Sequence, residues 1–528
     1  MSNEIEWLKG ALATGRIGRR EFLGRTAALG IGATTATGWA SSLRAEEPKK
    51  GGLLKLGMSG GSSTDSLDPR TYTDWVPGFT GYATFNLLVE IDDSSNATPE
   101  LAESWEAKPG AQEWIFDIRK GVTFHNGKTL DADDVVYSLN LHRGPDVKSG
   151  AKGVIEAITD VKAVGKNQVA ITLKEPNADL PYILSDYHLF IVPAGFTDWS
   201  KPIGTGAFIL DRFDPGVGVS GNLNKNYWKQ GRGHVDRFEV TVINDGTARL
   251  NALISGQVHI MNRVDRKTVD LLKRNPNLQI QRSSGGQHFT FLMLCDRKPL
   301  DDNNLRLALK YAIDREAILK TILHGYGKVG NDHPIPEHDP FFNKELPVRT
   351  YDPDKAKFYL KQAGLDGFSI ELDTSEAAFT EAPDTAILFQ QQAQKAGITV
   401  DVQRKPADGY WNDIWMKVPF SMSYWGGRPT ADMMFSTAYK SDAAWNDTFW
   451  KRPEFDKLLL QARAITDPDQ RRPLYWEMQR MVNEDGGNMI PMFADFVDAL
   501  SAQVKGFTPS PVWELSGLRA AERCWLET

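Results

Sequence analysis

The 528-residue sequence predicts an α/β protein of two or three domains. A strand-like segment at 368–373, a helical segment at 386–396 and a second strand-like segment at 398–403 follow one another. That order is typical of a βαβ unit, which implies a parallel sheet. The chain is also longer than one compact core usually holds, and no short repeat indicates a solenoid or propeller.

Local signals place further elements along the chain. Residues 113–119 alternate between apolar and polar side chains, which predicts a half-buried strand. Helices are expected after the capping residues Asp131 and Asp302. The clearest helix follows Asp352 and stops at Gly364, because an acidic cap and a terminal glycine enclose an apolar stripe.

The N-terminus carries the pattern of an export signal. Arg19-Arg20 and the mild apolar run 27–40 resemble a twin-arginine signal, and that run is shorter than the roughly 20 apolar residues of a membrane span. Cleavage is expected after Ala45, with Ala40 as the alternative, so 1–45 would be removed from a protein exported already folded. The alternative is a helix with incidental basic residues.

Composition excludes some classes of function. The formal net charge is −7, which argues against a nucleic-acid partner and for a freely diffusing protein. Only two cysteines occur, Cys295 and Cys524, so the core must supply most of the stability, and their pairing cannot be deduced from the sequence.

Several short segments, taken together and in order, resemble the signature of one family, the large bacterial extracellular solute-binding proteins of peptide, nickel and opine ABC importers. The matching segments span nearly the whole mature chain: 99–105, 116–127, 132–138, 202–206, 226–228, 306–309, 312–315, 351–364 and 453–456.

The resemblance implies a two-lobed periplasmic binding protein fold of the large, three-subdomain type, with a hinge between the lobes. The family pattern places two crossovers near 283–287 and 492–498. Lobe I would then comprise 46–286 plus 499–528, and lobe II 287–498. The resemblance further implies a monomer in the periplasm that captures a peptide or small molecule and delivers it to an ABC permease in the inner membrane, without catalysis.

One loop departs from the family pattern. In peptide-binding members the loop reads Trp-x-x-Asp, and the Asp pairs with the peptide ammonium; here the tryptophan is Trp425 and the Asp position is Arg428. Like charges near 4 Å repel by about 4 kcal/mol at an effective dielectric of 20, so Arg428 is suited instead to a carboxylate or phosphate. The ligand would be a peptide-like or anionic solute such as an opine.

The other expected ligand-binding residues surround Arg428 in the sequence or lie just upstream: Trp411, Tyr424, Trp425, Gly426, Gly427 and Asp432. Trp425 is expected to stack on or wall the ligand. The alternative for Arg428 is a salt bridge with Asp432 or another acid, away from any ligand.

Other chemistries have weaker support. His333, Glu337, His338 and Asp339 could supply metal ligands, but loop residues between prolines are usually only solvated, so no metal is expected. No nucleophile elbow, phosphate loop or dinucleotide fingerprint is present, and no cofactor is expected. The alternative function is a periplasmic enzyme exported folded with a cofactor, because twin-arginine signals often serve such enzymes.

Overall fold

A computed structural model of the protein describes residues 25–26, 48–365, 367–406 and 410–527. The expected signal peptide at 1–45 lies outside the described residues except for 25–26. Within these ranges no helix combines the length and the apolar character that crossing a membrane requires.

Most strands are short, and two are long enough to run across the molecule. They are β1 (Leu53–Met58), β2 (Val89–Ile91), β3 (Ala97–Pro99), β4 (Ala102–Ala107), β5 (Glu113–Ile118), β6 (Ile158–Gly165), β7 (Gln168–Leu173), β8 (Phe208–Asp214), β9 (Gly218–Leu223), β10 (Arg237–Val242), β11 (Ile260–Met261), β12 (Leu278–Met293), β13 (Gly327–Val329), β14 (Ser369–Thr374), β15 (Thr399–Arg404), β16 (Phe420–Trp425), β17 (Asn488–Ser501), β18 (Val504–Lys505) and β19 (Trp525–Leu526).

The helices are α1 (Trp75–Thr84), α2 (Ala132–Asn140), α3 (Leu180–Ile183), α4 (Gly246–Ile254), α5 (Val269–Leu272), α6 (Asn303–Tyr311), α7 (Arg315–Thr321), α8 (Pro353–Gln362), α9 (Ala382–Gln394), α10 (Tyr410–Asp413), α11 (Ala431–Ala438), α12 (Pro453–Ala464), α13 (Pro468–Asp485) and α14 (Ala520–Arg523).

The local predictions are confirmed. Strand β5 covers the predicted alternating segment, and α2, α6 and α8 begin directly after Asp131, Asp302 and Asp352. Asp302 and Asp352 accept hydrogen bonds from backbone N–H groups of their helices. The predicted βαβ unit is β14, α9 and β15, and its two strands pair in parallel.

One large mixed sheet of eleven strands runs through both lobes in the order β15-β14-β16-β12-β17-β11-β1-β10-β9-β8, with β13 paired to β17. A separate four-stranded sheet, β4-β5-β7-β6, belongs to the N-terminal half. The long antiparallel strands β12 and β17 join the two parts of the large sheet.

The pairing of β12 with β17 shifts register twice, between Ser284 and His288 and again between Phe289 and Phe291, and the first shift lies near the middle of the pair. Ser284 faces Asp495, and regular pairing resumes only at His288, which faces Phe493. The interruption contains Gly285 and Gly286, and a Cβ at Gly286 would lie 2.9 Å from the Cα of Gly427. Both chain crossings therefore lose regular pairing beside the loop that carries Arg428.

Separate hydrophobic cores account for the two lobes. The first core gathers side chains mainly from 54–260 and 500–524, including those under the four-stranded sheet. The second draws on 289–494, and a third lies among side chains of 335–482. The protein is therefore two-lobed, with a cleft where the faces of the two lobes meet.

Candidate binding cleft

The cleft holds two cavities whose walls combine residues of both lobes. The larger has a volume of about 570 Å³ and is lined by Asp74, Trp75 and Arg263 on one side and by Phe379, Trp411 and Tyr424 on the other. The smaller has a volume of about 80 Å³ and is lined by Asp186, Tyr187, Trp513 and Arg519 opposite Arg428 and Trp445.

Arg428 lies in the wall of the smaller cavity, between the end of β16 and the start of α11. Its Nη1 donates to the carbonyls of Gly426 and Gly427, each at 3.3 Å. Among the described residues no carboxylate oxygen lies within 4.0 Å of its guanidinium nitrogens. The guanidinium is half-buried beside the ring of Trp425, 5.8 Å from the ring centroid.

Asp186 is an acid in the same cavity wall, and it has another partner. Its Oδ1 lies 2.6 Å from Nδ1 of His188, whose Nε2 lies 2.9 Å from the carbonyl of Tyr72. Burial opposes ionisation of Asp186, but the interaction with His188 outweighs it and lowers the pKa of that carboxyl.

The second lobe carries a row of aromatic rings beside the two cavities, which we call the aromatic wall: Trp411, Trp415, Tyr424, Trp425 and Trp445. Neighbouring centroids in the row are 5.8 Å (Tyr424–Trp411), 5.9 Å (Trp411–Trp415), 6.3 Å (Trp415–Trp445) and 6.0 Å (Trp445–Trp425) apart. Trp411, Tyr424 and Trp445 are 38%, 40% and 46% exposed, whereas Trp425 is buried behind them.

On the opposite side of the cleft, the first lobe carries a smaller group of aromatic rings. Trp75 and Trp513 lie 4.7 Å apart, and Tyr187 contacts both, at 6.0 and 5.7 Å. Trp75 borders the larger cavity, while Tyr187 and Trp513 border the smaller one. Flat apolar surfaces on both sides suit a cleft that encloses an organic solute.

Charges of the first lobe at the larger cavity are mostly paired within the lobe. Arg263 donates to Asp74 at 2.8 Å and to Glu514 at 3.4 Å, and Glu514 also accepts from Asn262 at 2.5 Å. Asp74 in addition accepts from the backbone N–H of Trp75 at 2.8 Å. Tyr424 faces this group from the other lobe, and burial, reinforced by Asp74, raises the pKa of its phenol.

The structure separates the predicted site residues. Arg428, Trp411 and Tyr424 border the cavities, but Trp425 lies behind the exposed rings. Gly427 packs on Gly286, where a Cβ would lie 2.9 Å from the neighbouring Cα.

Gly426 faces the first lobe, whereas Asp432 is buried within the second lobe. A Cβ on Gly426 would lie 3.7 Å from Trp513 of the first lobe. Asp432 is buried and lines neither cavity. Its carboxylate pairs with Nε of Arg463 at 2.8 Å. The alternative pair between Arg428 and Asp432 is therefore not formed.

Ion pairs link the two lobes, one away from the cavities and one in the wall of the larger cavity. Arg471 of α13 grips Asp179 with two hydrogen bonds of 2.7 and 2.8 Å, and both side chains are buried. On the other flank Arg266 pairs with Glu381 at 2.9 Å. These residues are 292 and 115 positions apart in the chain, so no local sequence signal indicates the pairs.

The two histidines considered as metal ligands lie in different surroundings. His333 is buried and His338 is exposed. Among the described residues no group of three or more His, Cys, Asp or Glu side chains is placed to hold a metal ion. Cys295 and Cys524 are both free thiols.

Sequence reasoning missed most of the first-lobe wall. Asp74, Tyr187 and Trp513 come from distant parts of the chain, and only tertiary folding brings them to the cleft. The aromatic content of the sequence was the single available signal, and it fits cores and clefts equally.

A hinged pair of lobes around a partly enclosed, aromatic-lined cleft defines a protein that captures a solute. The chain matches the family model of the bacterial extracellular solute-binding proteins, family 5 Middle, over residues 96–447, and it belongs to that family. It is a periplasmic solute-binding component of an ABC importer, and the alternative of a cofactor-loaded enzyme is not favoured.

Individual relatives agree with this assignment. The chain is 26% identical to the dipeptide-binding protein of Escherichia coli K12, over 88% of this chain and 97% of that protein. Its fold matches the A. tumefacien R10 protein AgaA in complex with agropinic acid, with a TM-score of 0.79, 25% identity and coverage of 90% and 99%. It also matches Helicobacter pylori DppA in complex with the peptide STSA, with a TM-score of 0.78, 24% identity and coverage of 91% and 99%.

Proposed function

We propose that this chain captures a peptide-like or otherwise anionic solute and that Arg428 binds the solute's carboxylate or phosphate. The observation that carries the proposal is the position of the guanidinium, which borders the smaller cavity and has no carboxylate partner among the described residues. Its Nη1 donates to two carbonyls, which leaves Nε and Nη2 of the guanidinium to donate to an anion.

The surrounding groups support an organic anion. The exposed rings of the aromatic wall and the rings of the first lobe supply apolar surface for the body of the solute. The similarity to a dipeptide-binding protein and to a protein in complex with agropinic acid is consistent with such a ligand.

We further propose that the lobes are residues 46–286 plus 499–528 and residues 287–498, hinged where β12 and β17 lose regular pairing. The contact of Gly286 with Gly427 supports this division, because it couples the hinge directly to the loop of Arg428. The mature protein acts as a monomer without catalysis, after removal of the twin-arginine signal at 1–45.

A thermal-shift screen followed by calorimetry tests the ligand. The panel is the dipeptide Met-Leu, glutathione, agropinic acid and glucose 6-phosphate. Each compound should be recovered chemically unchanged after incubation with the protein, which checks that the protein does not convert it. At least one compound should stabilise the protein, by about 2.7 kcal/mol at 100 times its Kd. Light scattering of the purified protein checks the monomer.

Arg428→Ala should weaken binding of that compound about 10- to 100-fold, since a hydrogen bond to a charged group contributes roughly 1.5–3 kcal/mol. Arg480→Ala is the matched control, because Arg480 pairs with Glu477 and Glu484 on the surface of α13, away from both cavities. Equal affinities of Arg428→Ala and the control would contradict the role of Arg428.

A further inference from the structure

A buried carboxyl lies behind the aromatic wall. Oδ2 of Asp447 accepts hydrogen bonds from Nε1 of Trp425 at 2.9 Å and from Nε1 of Trp415 at 3.3 Å. The residue is 0% exposed. Its Oδ1 has no hydrogen-bond partner within the described part of the chain.

No cation accompanies this carboxyl. The groups that face it are the indoles of Trp415 and Trp425, the amide of Asn488 and the phenol of Tyr439, and no Lys, Arg or His nitrogen of the described residues lies within 4.0 Å. Burial raises the pKa of Asp447 to about 7, although the indole N–H groups oppose that shift. Because an unpaired buried carboxyl is unfavourable, packing alone does not explain an acid here.

The two indoles that Asp447 holds connect it to the cleft. The ring of Trp425 lies beside the guanidinium of Arg428 and contacts Trp445, and Trp415 contacts Trp445 and Trp411. Trp411 and Trp445 border the larger and the smaller cavity, respectively. An indole has a single donor, so the acceptor of that N–H determines how the ring is turned.

We propose that Asp447 is a positioning residue for ligand binding, which sets the orientation of Trp425 and Trp415 and, through these rings, of Arg428, Trp411 and Trp445. The inference rests on the proposed function of the cleft. Asp447 itself contacts no solute, since neither cavity includes it among its lining residues. One acceptor oxygen thereby holds two indoles whose neighbours, Trp411 and Trp445, border the two cavities.

The test uses the ligand-free protein labelled with 5-fluorotryptophan. The chain has 15 tryptophans, whose ¹⁹F resonances are assigned by single Trp→Phe substitutions. In the unsubstituted protein the resonances of Trp415, Trp425, Trp411 and Trp445 should shift together with pH, by more than the line width and with a midpoint at about 7.

Two variants and one control separate positioning from local packing. Asp447→Asn keeps an acceptor oxygen, so the four resonances should stay near their acidic positions and lose the pH response. Asp447→Leu removes the acceptor and should displace all four. Asp485→Asn is the control, because Oδ2 of Asp485 accepts Nε1 of Trp450 at 2.9 Å in the same lobe, and it should displace Trp450 alone.

The proposal is overturned if Trp411 and Trp445 keep their positions in Asp447→Leu. Should that variant not fold, the pH titration of the unsubstituted protein decides: a shift of Trp415 and Trp425 without Trp411 and Trp445 overturns the proposal equally. Neither result depends on a bound solute, so a failed ligand screen and a failed positioning role remain distinguishable.

Discussion

Two arginines reach the same small cavity from opposite lobes, and their surroundings differ. Arg519 of the first lobe is 4% exposed and donates to both carboxylate oxygens of Glu100, at 3.0 and 3.1 Å, and to Glu522 at 3.0 Å. Arg428 of the second lobe donates, among the residues that the structure describes, only to two carbonyls of its own loop. Burial opposes the charge of Arg519, but its carboxylate partners raise the pKa of that guanidinium well above the ordinary value.

The difference separates a structural charge from one available for binding. A buried arginine with several carboxylate partners holds its own fold together, and a solute would have to compete with those partners. At a half-buried arginine on a cavity wall without such partners, no carboxylate of the protein competes with the solute for the guanidinium. The comparison predicts that Arg519 governs stability and Arg428 governs affinity.

The largest effect is expected for Arg519→Met. The substitution leaves Glu90, Glu100 and Glu522 as buried acids around Lys229, so unfolding should become easier by about 3–5 kcal/mol. Urea denaturation of the ligand-free protein measures this loss. Arg428→Met is the matched control, and a comparable loss there would remove the distinction between the two arginines.

The next effect depends on pH and is expected for Asp447→Asn. The pKa of Asp447 is about 7 in the folded protein and near 3.9 when unfolded. Its contribution to stability is therefore fully present below about pH 4 and is lost as the pH rises to about 7. The variant should gain on the unsubstituted protein by at most about 1.4 kcal/mol per pH unit in that window, with no further gain above it.

Denaturation at several pH values measures that gain. Asp485→Asn should show no such slope between about pH 5 and 7, because Arg452 and Trp450 outweigh burial and lower the pKa of Asp485. A flat difference for Asp447→Asn across the window would refute a protonated Asp447 in the folded state.

The loop of Arg428 offers a pair of neighbouring substitutions. Gly427→Ala would place a Cβ 2.9 Å from backbone of Gly286, so it should cost about 1–3 kcal/mol of stability and displace the arginine. Gly426→Ala meets its nearest neighbours at 3.7 Å and should change stability by no more than about 0.5 kcal/mol. Thermal denaturation compares them; equal stabilities would show that the contact with the hinge does not hold the loop.

The smallest effect concerns Arg428→Ala in the absence of ligand. Because no carboxylate of the described residues lies within 4.0 Å of Arg428, and Asp186 is held mainly by His188, its loss should change the free energy of unfolding by no more than about 0.5 kcal/mol. A loss of several kcal/mol in urea would mean that Arg428 is structural after all.

The sequence was sufficient for elements with local causes. The helices after Asp131, Asp302 and Asp352 follow from caps within a few residues, and the βαβ unit follows from the order of short periodic segments. The departure at Arg428 was also visible, because a change of charge sign needs no tertiary information.

The rest of the cleft depends on contacts between distant residues. Arg463, which takes Asp432 away from Arg428, is 31 positions further along the chain, and Asp179 meets Arg471 across 292 positions. Trp425 was expected against the ligand, but the burial of its ring and its bond to Asp447 arise from packing that no pattern in the loop reveals.

The most direct test of the account compares a ligand with its uncharged analogue. For whichever panel compound binds, calorimetry gives the affinities of the acid and of its neutral amide or ester, or of the dephosphorylated sugar, for the unsubstituted protein and for Arg428→Ala. The unsubstituted protein should prefer the anion by about 1.5–3 kcal/mol, and the variant should lose that preference. An equal preference for the anion in both proteins would contradict the account.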